Sequence, residues 1–265
     1  MIFNNEKCIG CGLCANECAM HSISLENNKA NLMGSCIMCG HCYAVCPSNA
    51  IEWDYSILPD TPLSEILFNR RSLRQYTDQK VSKELLEKII KRASAYPSAT
   101  NQKSAEITVV TNYDTIKIIK LDVMNSLKNK FKILNNPIAC FIAKLILKDN
   151  FKRIVRYKKL FDSMSEENDG ITFNAPCLVF VHGSKKGIFI DEDTHYIAYN
   201  MVLLANEEGL GSCFMGFIRG HLSKKIKNIL GIPKNHIVYS VFTLGYPNIN
   251  FLRPVPQETI KNKII

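Results

Sequence analysis

Two cysteine-rich stretches lie near the start of this 265-residue chain. They are Cys8-Ile9-Gly10-Cys11-Gly12-Leu13-Cys14-Ala15-Asn16-Glu17-Cys18 and Cys36-Ile37-Met38-Cys39-Gly40-His41-Cys42-Tyr43-Ala44-Val45-Cys46-Pro47. Both follow the spacing C-x2-C-x2-C-x3-C, and together they hold eight of the eleven cysteines. Proline follows the second run, whereas Ala19 follows the first. The repetition predicts two similar halves related by a pseudo-twofold axis.

This spacing is typical of proteins that bind two 4Fe–4S clusters, in which the fourth cysteine of each run binds the cluster of the other run. Two-residue spacers bring successive thiolates to one cluster, and glycine permits the tight backbone between them. One cluster is therefore assigned to Cys8, Cys11, Cys14 and Cys46. The other is assigned to Cys18, Cys36, Cys39 and Cys42. His41 is interpreted as a loop residue without a role as a ligand.

Zinc and disulfides are the two alternative uses of these cysteines. Structural zinc usually takes pairs of cysteines with a longer spacer between the pairs, which fits these runs poorly. Disulfides need an oxidising compartment, and no secretory signal pattern precedes the first run. The three isolated cysteines, Cys140, Cys177 and Cys213, are expected to be buried and inert.

The distribution of charge argues against a nucleic-acid partner. The net charge is +9, yet residues 1–57 hold two lysines against five acidic residues, so the rest of the chain is basic. The basic residues of that part are scattered and form no compact tract. Its most apolar stretch, Pro137 to Leu147, is too short for a membrane span and contains Lys144. We therefore expect a cytoplasmic protein without nucleic-acid or membrane partners.

The composition changes after Trp53, and Leu58-Pro59-Asp60-Thr61-Pro62 is predicted to be a linker because proline breaks regular structure. The predicted domains are residues 1–57 and 58–265. In the second domain, apolar periodicity and caps predict helices at about 82–96, 114–134, 138–165, 194–208 and 223–230. Strands are predicted at 106–111, 177–181 and 237–244. Helices predominate and separate the strands, which favours an α+β sandwich.

Four segments of the second domain are candidates for a binding site. They are Arg70-Arg71-Ser72-Leu73-Arg74, Pro97-Ser98-Ala99-Thr100-Asn101-Gln102-Lys103, Gly209-Leu210-Gly211-Ser212-Cys213, and Gly245-Tyr246-Pro247 followed by Arg253. Guanidinium groups match phosphate oxygens bidentately. Polar loops often present side chains to ligands, and glycine lets backbone amides approach a flat ring. Taken singly, each segment also fits an ordinary helix end or turn.

In this order the four segments resemble the nitroreductase-like FMN family, in particular members with an N-terminal two-cluster ferredoxin domain. The resemblance implies a ferredoxin-like domain followed by an α+β sandwich that binds FMN. It implies that the FMN phosphate and ribityl chain are bound by Arg70, Arg71, Ser72 and Arg74, and that Arg253 closes the phosphate site. It further implies that Pro97, Ser98 and Asn101 lie along the flavin, and that Leu210 and Gly211 contact its ring.

Lys103 departs from the family pattern, which usually has glutamine at this position. A lysine here would place positive charge where the reduced flavin develops negative charge. The resemblance also implies a homodimer in which each FMN site takes residues from both chains.

A cluster pair and a flavin in one chain predict an oxidoreductase, because clusters move single electrons and a flavin collects two. We expect electrons to pass from the clusters to FMN and on to a nitroaromatic, a quinone or a conjugated carbonyl compound. No catalytic side chain is required, since flavin N5 delivers the hydride. Either an external ferredoxin or NAD(P)H would serve as donor. The alternatives are a non-enzymatic electron carrier, a flavin-based redox sensor, or a vestigial flavin site.

Overall fold

The computed structural model describes residues 1–34, 36–53, 61–98, 101–164, 169–255, 261 and 263. The chain divides into two compact units. Unit 1 comprises residues 1–71 and 249–265, and unit 2 comprises residues 72–248. Among the helices of the described part, none combines the length and apolar character that a bilayer crossing requires.

Unit 1 is built from short elements that repeat. Two antiparallel ladders pair β1 with β4 and β2 with β3. The elements are β1 (Ile2–Phe3), α1 (Leu13–Glu17), β2 (Ile23–Glu26), β3 (Lys29–Leu32), α2 (His41–Val45), β4 (Ile51–Glu52) and α3 (Pro62–Asn69). Helices α1 and α2 each start after a glycine with a left-handed backbone, Gly12 at φ 76° and Gly40 at φ 72°. Glycine adopts this conformation without steric cost, which explains its place in both runs.

The division found in the structure differs from the predicted boundary, because residues after 248 group with unit 1. The backbone N–H of Leu252 donates to the carbonyl of Ala44 at 2.9 Å. Val255 is buried against Gly40, where an added Cβ would lie 2.3 Å from a Val255 methyl carbon. Hydrophobic burial therefore attaches this segment to α2.

The predicted linker lies partly outside the described residues, at 58–60. Its last two residues start a helix instead. Thr61 caps α3 by accepting from the Ser64 N–H at 3.2 Å, while Ser64 Oγ accepts from the Thr61 N–H at 2.8 Å. Pro62 occupies the first helical position, where its missing N–H carries no cost.

Unit 2 is a four-stranded antiparallel sheet with the order β5-β6-β8-β7, covered by helices. The strands are β5 (Glu106–Val110), β6 (Cys177–Ser184), β7 (Gly211–Phe214) and β8 (His236–Gly245). The helices are α4 (Lys83–Ala93), α5 (Tyr113–Lys132), α6 (Pro137–Leu147), α7 (Asp149–Asp162), α8 (Ile190–Glu207), α9 (Gly216–His221) and α10 (Lys224–Ile229).

Side chains of β6 alternate between two hydrophobic cores. Leu178 and Phe180 join the core formed with α5, α9 and α10. Cys177, Val179 and Val181 join the core formed with α4 and α8. All five are fully buried, which explains why this strand is a continuous apolar run. The three layers confirm the predicted α+β class.

The predicted elements of unit 2 are present, with three differences. The stretch predicted near 138–165 is two helices that meet at Lys148, where φ is 42°. Helix α8 starts at Ile190, four residues earlier than predicted, because acidic residues favour a first helical turn. No strand was predicted at 211–214, where the structure forms β7, which is held to β8 by a regular ladder.

Candidate flavin and iron–sulfur sites

The eight cysteines of the two runs surround two cavities in unit 1. The first cavity is lined by Cys8, Cys11, Cys14 and Cys46. The second is lined by Cys18, Cys36, Cys39 and Cys42. These are the two sets assigned from the sequence, each with three cysteines from one run and one from the other. All eight are free thiols.

Backbone amides point at the sulfurs in the same way in both halves. The Ser22 N–H donates to Cys18 Sγ at 3.4 Å, and the equivalent Ala50 N–H donates to Cys46 Sγ at 3.3 Å. The Ala30 N–H similarly reaches Cys8 Sγ at 3.5 Å. Such bonds favour the negative charge of a thiolate, and those from the backbones of Ala30 and Gly10 lower the pKa of Cys8.

Burial acts in the opposite direction on the third cysteine of each run. It raises the pKa of Cys14 to about 11 and that of Cys42 to about 12. A buried thiol with this pKa loses its proton when a metal takes the sulfur as a ligand. Four convergent sulfurs in an apolar cavity fit an iron–sulfur cluster, for which thiolate is the usual ligand.

His41 is not the loop residue that the sequence predicted. It lies on α2, buried, and its Nδ1 is 2.8 Å from the buried carboxylate of Glu17 on α1. This pair joins the two helices, and His41 lines the second cavity. The signal was present in the sequence as one acidic residue and one histidine, one in each cysteine run.

Arg253 belongs to unit 1 and contacts α2 and the cysteine that follows it. Its Nη2 donates to the carbonyl of Cys46 at 2.6 Å, and its guanidinium carbon lies 5.3 Å from the centre of the Tyr43 ring. These contacts hold Arg253 beside a predicted cluster ligand, and its contact with the FMN phosphate stays a prediction.

Arg70 and Arg71 follow the end of α3. Some of the buried N–H groups of their guanidinium groups have no hydrogen-bond acceptor among the described residues. Arg71 is 8% exposed, and its Nη1 donates to the carbonyls of Phe68 and Arg70. Among the described residues, Nε and Nη2 of Arg71 and Nε of Arg70 have no hydrogen-bond partner. Burial, with repulsion from Arg70, lowers the pKa of Arg71 to about 10. Buried donors of this kind fit an anionic group that would accept from them.

The next residues of this segment lie along β7. Ser72 bridges to Ser212, and the Leu73 N–H donates to the Ser212 carbonyl at 2.8 Å. Leu73 packs so closely on Gly211 that an added Cβ there would lie 2.2 Å from its methyl carbon. The glycine is therefore required by the backbone approach of the two segments.

Tyr76 fixes the end of this segment. Its hydroxyl donates to the Leu73 carbonyl at 2.8 Å and lies 2.6 Å from Thr243 Oγ1 on β8. Burial raises the pKa of Tyr76 far above its usual range, so the hydroxyl remains a donor at every accessible pH.

Arg74 completes the basic segment within unit 2. Its Nη1 donates to the Ser72 carbonyl at 3.1 Å, and its guanidinium carbon lies 5.7 Å from the centre of the Phe173 ring. The loop that carries Phe173 is held by Asp169, a residue that the sequence analysis missed. Asp169 accepts from the backbone N–H groups of Ile171 at 2.8 Å and Thr172 at 2.9 Å.

The predicted flavin loop at 97–103 is described except for residues 99 and 100. Ser98 organises it by accepting from the Lys103 N–H through its hydroxyl at 3.0 Å and from the Asn101 N–H through its carbonyl at 3.0 Å. The Lys103 ammonium donates to the carbonyls of Ser94 and Tyr96 and lies 4.5 Å from the centre of the Tyr96 ring. In this arrangement Lys103 closes its own loop.

The sheet separates this loop from the segment beside β7. Strand β7 is at one edge and starts at Gly211, opposite Gly245 at the end of β8. Strand β5 is at the other edge and starts at Glu106. Glu106 pairs with His182 of β6, which pairs in turn with Val238 near the start of β8. The loop at 97–103 thus precedes the corner diagonally opposite Gly211. Ser72, Arg74, Leu210 and Gly211 form one group, and Ser98, Asn101 and Lys103 form another.

Two family models match the chain. The model described as the nitroreductase family matches residues 67–246, and the model described as a 4Fe-4S dicluster domain matches residues 1–56. A protein of Archaeoglobus fulgidus named "Putative NADH dehydrogenase/NAD(P)H nitroreductase" is 27% identical over 184 residues, which is 69% of this chain and 84% of the relative.

Solved structures show the same fold. An FMN-dependent nitroreductase of Clostridium difficile aligns with a TM-score of 0.59 and 20% identity over 78% of this chain and 100% of that one. A nitroreductase with bound FMN from Bacteroides fragilis aligns with a TM-score of 0.57 and 20% identity over 78% of this chain and 98% of that one. The chain thus belongs to the nitroreductase family, as an FMN-dependent oxidoreductase with a 4Fe–4S domain at residues 1–56.

Proposed function

We propose that this enzyme passes electrons from two 4Fe–4S clusters to FMN and from FMN to a small acceptor. Two cavities with four convergent cysteines each, in one chain with a nitroreductase domain, carry this proposal. The acceptor is a nitroaromatic, a quinone or a conjugated carbonyl compound. The clusters would supply single electrons, and FMN would deliver them as a hydride. The residues of the chain hold these groups, set their potentials and exclude water.

The cluster ligands follow from the two cavities. Cys8, Cys11, Cys14 and Cys46 bind one cluster. Cys18, Cys36, Cys39 and Cys42 bind the other. The amides that donate to Cys8, Cys18 and Cys46 would stabilise the negative charge of each cluster, which is one of the factors that set its reduction potential.

The FMN phosphate is bound by the basic segment that ends at Arg74. The buried donors of Arg70 and Arg71 without acceptors support this role, since a phosphate would satisfy them. Ser72 and Arg74 extend the segment along β7, where the backbone of Leu210 and Gly211 approaches the flavin. Pro97, Ser98, Asn101 and Lys103 contribute from the other loop.

A homodimer explains how both groups of residues reach one flavin, because they lie at diagonally opposite corners of the sheet of one chain. The loop at 97–103 of one protomer would meet the segment beside β7 of its partner. Helix α6 supports association, since it presents five large apolar side chains that are 49–71% exposed. They are Ile138, Phe141, Ile142, Leu145 and Ile146.

Anaerobic purification followed by metal, sulfide and flavin analysis tests the cofactor content. We expect about eight iron atoms, about eight sulfides and one FMN per chain. Finding zinc in both cavities, or iron for a single cluster after full reconstitution, would contradict the assignment. Steady-state turnover with each class of acceptor, driven in turn by reduced ferredoxin and by NAD(P)H, would identify the donor and the acceptor.

A further inference from the structure

Two buried histidines and a glutamate meet on three adjacent strands of unit 2, at the corner of the sheet that the loop at 97–103 precedes. Glu106 starts β5, His182 is opposite it on β6, and His236 starts β8. The ladder between β6 and β8 shifts register between Val181 and His182. Such an irregularity re-aims a side chain, and here the histidine that follows it faces the other two groups.

The ligand atoms of this triad converge. The Nδ1 atoms of His182 and His236 are 3.0 Å apart, and His236 Nδ1 is 3.9 Å from Glu106 Oε2. Atoms of all three side chains lie within 4.8 Å of one another. The two histidines are 2% and 8% exposed, whereas the Glu106 side chain is 58% exposed and free to adjust.

A second contact orients the central imidazole. His182 Nε2 lies 3.0 Å from Thr108 Oγ1 on β5, which leaves Nδ1 directed at His236. Histidine ligands of metals typically have their other ring nitrogen bonded in this way. The distance between the Nδ1 atoms also fits, because two nitrogens at about 2.0–2.1 Å from one ion, at angles of roughly 90–110°, are roughly 2.9–3.4 Å apart.

We propose that Glu106, His182 and His236 form a binding site for one divalent transition-metal ion, best matched by Zn²⁺. Imidazole and carboxylate ligands suit this class of ion. Three protein ligands leave a fourth position open to water on the side of the exposed glutamate. Without a metal, the two facing Nδ1 atoms would share one proton in a neutral histidine pair, and this is the competing explanation.

Zinc binding to the full chain tests the proposal, in protein prepared without a histidine tag and with its clusters reconstituted so that cysteines do not take the metal. We expect one Zn²⁺ per chain to survive desalting. X-ray absorption at the zinc edge should show nitrogen and oxygen ligands and no sulfur. The iron of the clusters does not contribute to the spectrum at this edge.

Matched variants locate the site. Glu106→Gln and His236→Asn are expected to weaken zinc binding at least about tenfold, the loss typical of disturbing even an outer contact. His195→Asn is the control, because it removes an exposed imidazole whose Nδ1 lies 2.5 Å from the Asp191 carbonyl on its own helix. Glu106 is exposed at the surface, so its variant should fold and keep the far-ultraviolet spectrum of the parent.

The proposal is overturned if no zinc is retained, if sulfur appears among the ligands, or if Glu106→Gln and His236→Asn bind as tightly as His195→Asn. Each of these results would leave the histidines as a pair that shares a proton. Because these measurements involve no flavin and no turnover, they do not depend on the proposed electron transfer.

Discussion

Arg71 combines a buried guanidinium with donors that no described residue accepts. The donors without acceptors are costly in the protein alone, which offsets the bonds that Nη1 donates to the carbonyls of Phe68 and Arg70. An anion that accepts from these donors removes the cost. Arg71→Met should therefore leave the free energy of unfolding of the FMN-free protein unchanged or raise it. The same substitution should weaken FMN binding roughly ten- to a hundredfold, since a charge-assisted contact contributes about 1.5–3 kcal/mol. Flavin fluorescence titration measures the affinity, and urea unfolding measures the stability.

Arg219→Met is the matched control, because Arg219 is an exposed arginine that donates to the Tyr239 carbonyl. It should bind FMN like the parent. An Arg71→Met protein that loses stability while keeping its FMN affinity would show that the guanidinium serves the end of α3 and not the phosphate.

Asp169 holds the loop that carries Phe173, the aromatic ring beside Arg74. Its carboxylate accepts from three backbone N–H groups and the Thr172 hydroxyl, and it lies 3.5 Å from the Lys120 ammonium. Asp169→Ala should lower the free energy of unfolding by at least about 3 kcal/mol, because several bonds to a buried charge are lost together. Urea unfolding followed by far-ultraviolet circular dichroism measures this.

Asp162→Ala provides the comparison, since Asp162 is an exposed partner of Lys158 on α7. An exposed pair one helical turn apart contributes about 0.3–0.5 kcal/mol. Equal losses for the two aspartates would contradict the role assigned to Asp169.

The contact between α1 and α2 is predicted to stabilise unit 1. The pair of Glu17 and His41 joins α1, which carries Cys14, to α2, which carries Cys42, so it positions both helices. His41→Ala should destabilise unit 1 by about 1–3 kcal/mol and reduce the iron retained after gel filtration. Trp53, the single tryptophan of the chain, packs against the same core and reports its unfolding by fluorescence.

His21→Asn is the control for this variant. His21 has a left-handed backbone at φ 46°, which asparagine tolerates, and its side chain is exposed. If the His41→Ala protein retains as much iron as the control and shows the same unfolding transition by Trp53 fluorescence, the buried pair has no positioning role.

Helix α6 is predicted to lie in the dimer interface. Its exposed apolar residues recur at spacings of three and four, which places them on one face. Replacing Phe141 and Leu145 together by Glu should convert a dimer into monomers and lower FMN occupancy, because each site would lose one chain. Sedimentation velocity measures the association. Lys144→Glu, on another face of the helix, should remain dimeric, and a double variant that stays dimeric would exclude α6 from the interface.

The sequence predicted most elements of unit 2 because their periodicity and caps are local. Ser82 caps α4 as expected, accepting from the Leu85 N–H at 3.2 Å. Strand β7 was missed because its four residues contain glycine and serine, and it exists through its ladder with β8. The contact of Arg253 with Cys46 was missed for the same reason, since it joins positions far apart in the sequence.

The cysteine sites were predicted more fully than the flavin site. Two clusters need eight cysteine sulfurs, four for each, and the spacing of the cysteines predicts which of them meet. The flavin segments are distributed over corners of the sheet, and their residue types also serve ordinary turns. Lys103 shows the difference, because it stands where the family pattern has glutamine, yet its ammonium binds the carbonyls of Ser94 and Tyr96 in its own loop.

For the whole molecule, the central question is whether the clusters feed the flavin or merely share its chain. Replacing Cys11 and Cys39 together by Ser should remove both clusters, since thiolate is the ligand that suits iron here. Both residues lie outside the segments proposed to bind FMN, so the variant should retain its flavin. Turnover driven by reduced ferredoxin should then be lost, as measured by anaerobic steady-state kinetics with a quinone acceptor.

A single turnover started by photoreduction of the bound flavin supplies the control, because it bypasses the clusters. The variant should still reduce one equivalent of the quinone at the rate of the parent. Cys140→Ser is the matched substitution, since Cys140 is a thiol of unit 2 outside both cysteine runs. If ferredoxin-driven turnover continues at the parental rate after the iron is lost, the 4Fe–4S domain does not deliver the electrons, and the flavin domain must receive them directly. Loss of both reactions would instead mean that the substitutions damage the flavin site, which a lowered FMN content would independently reveal.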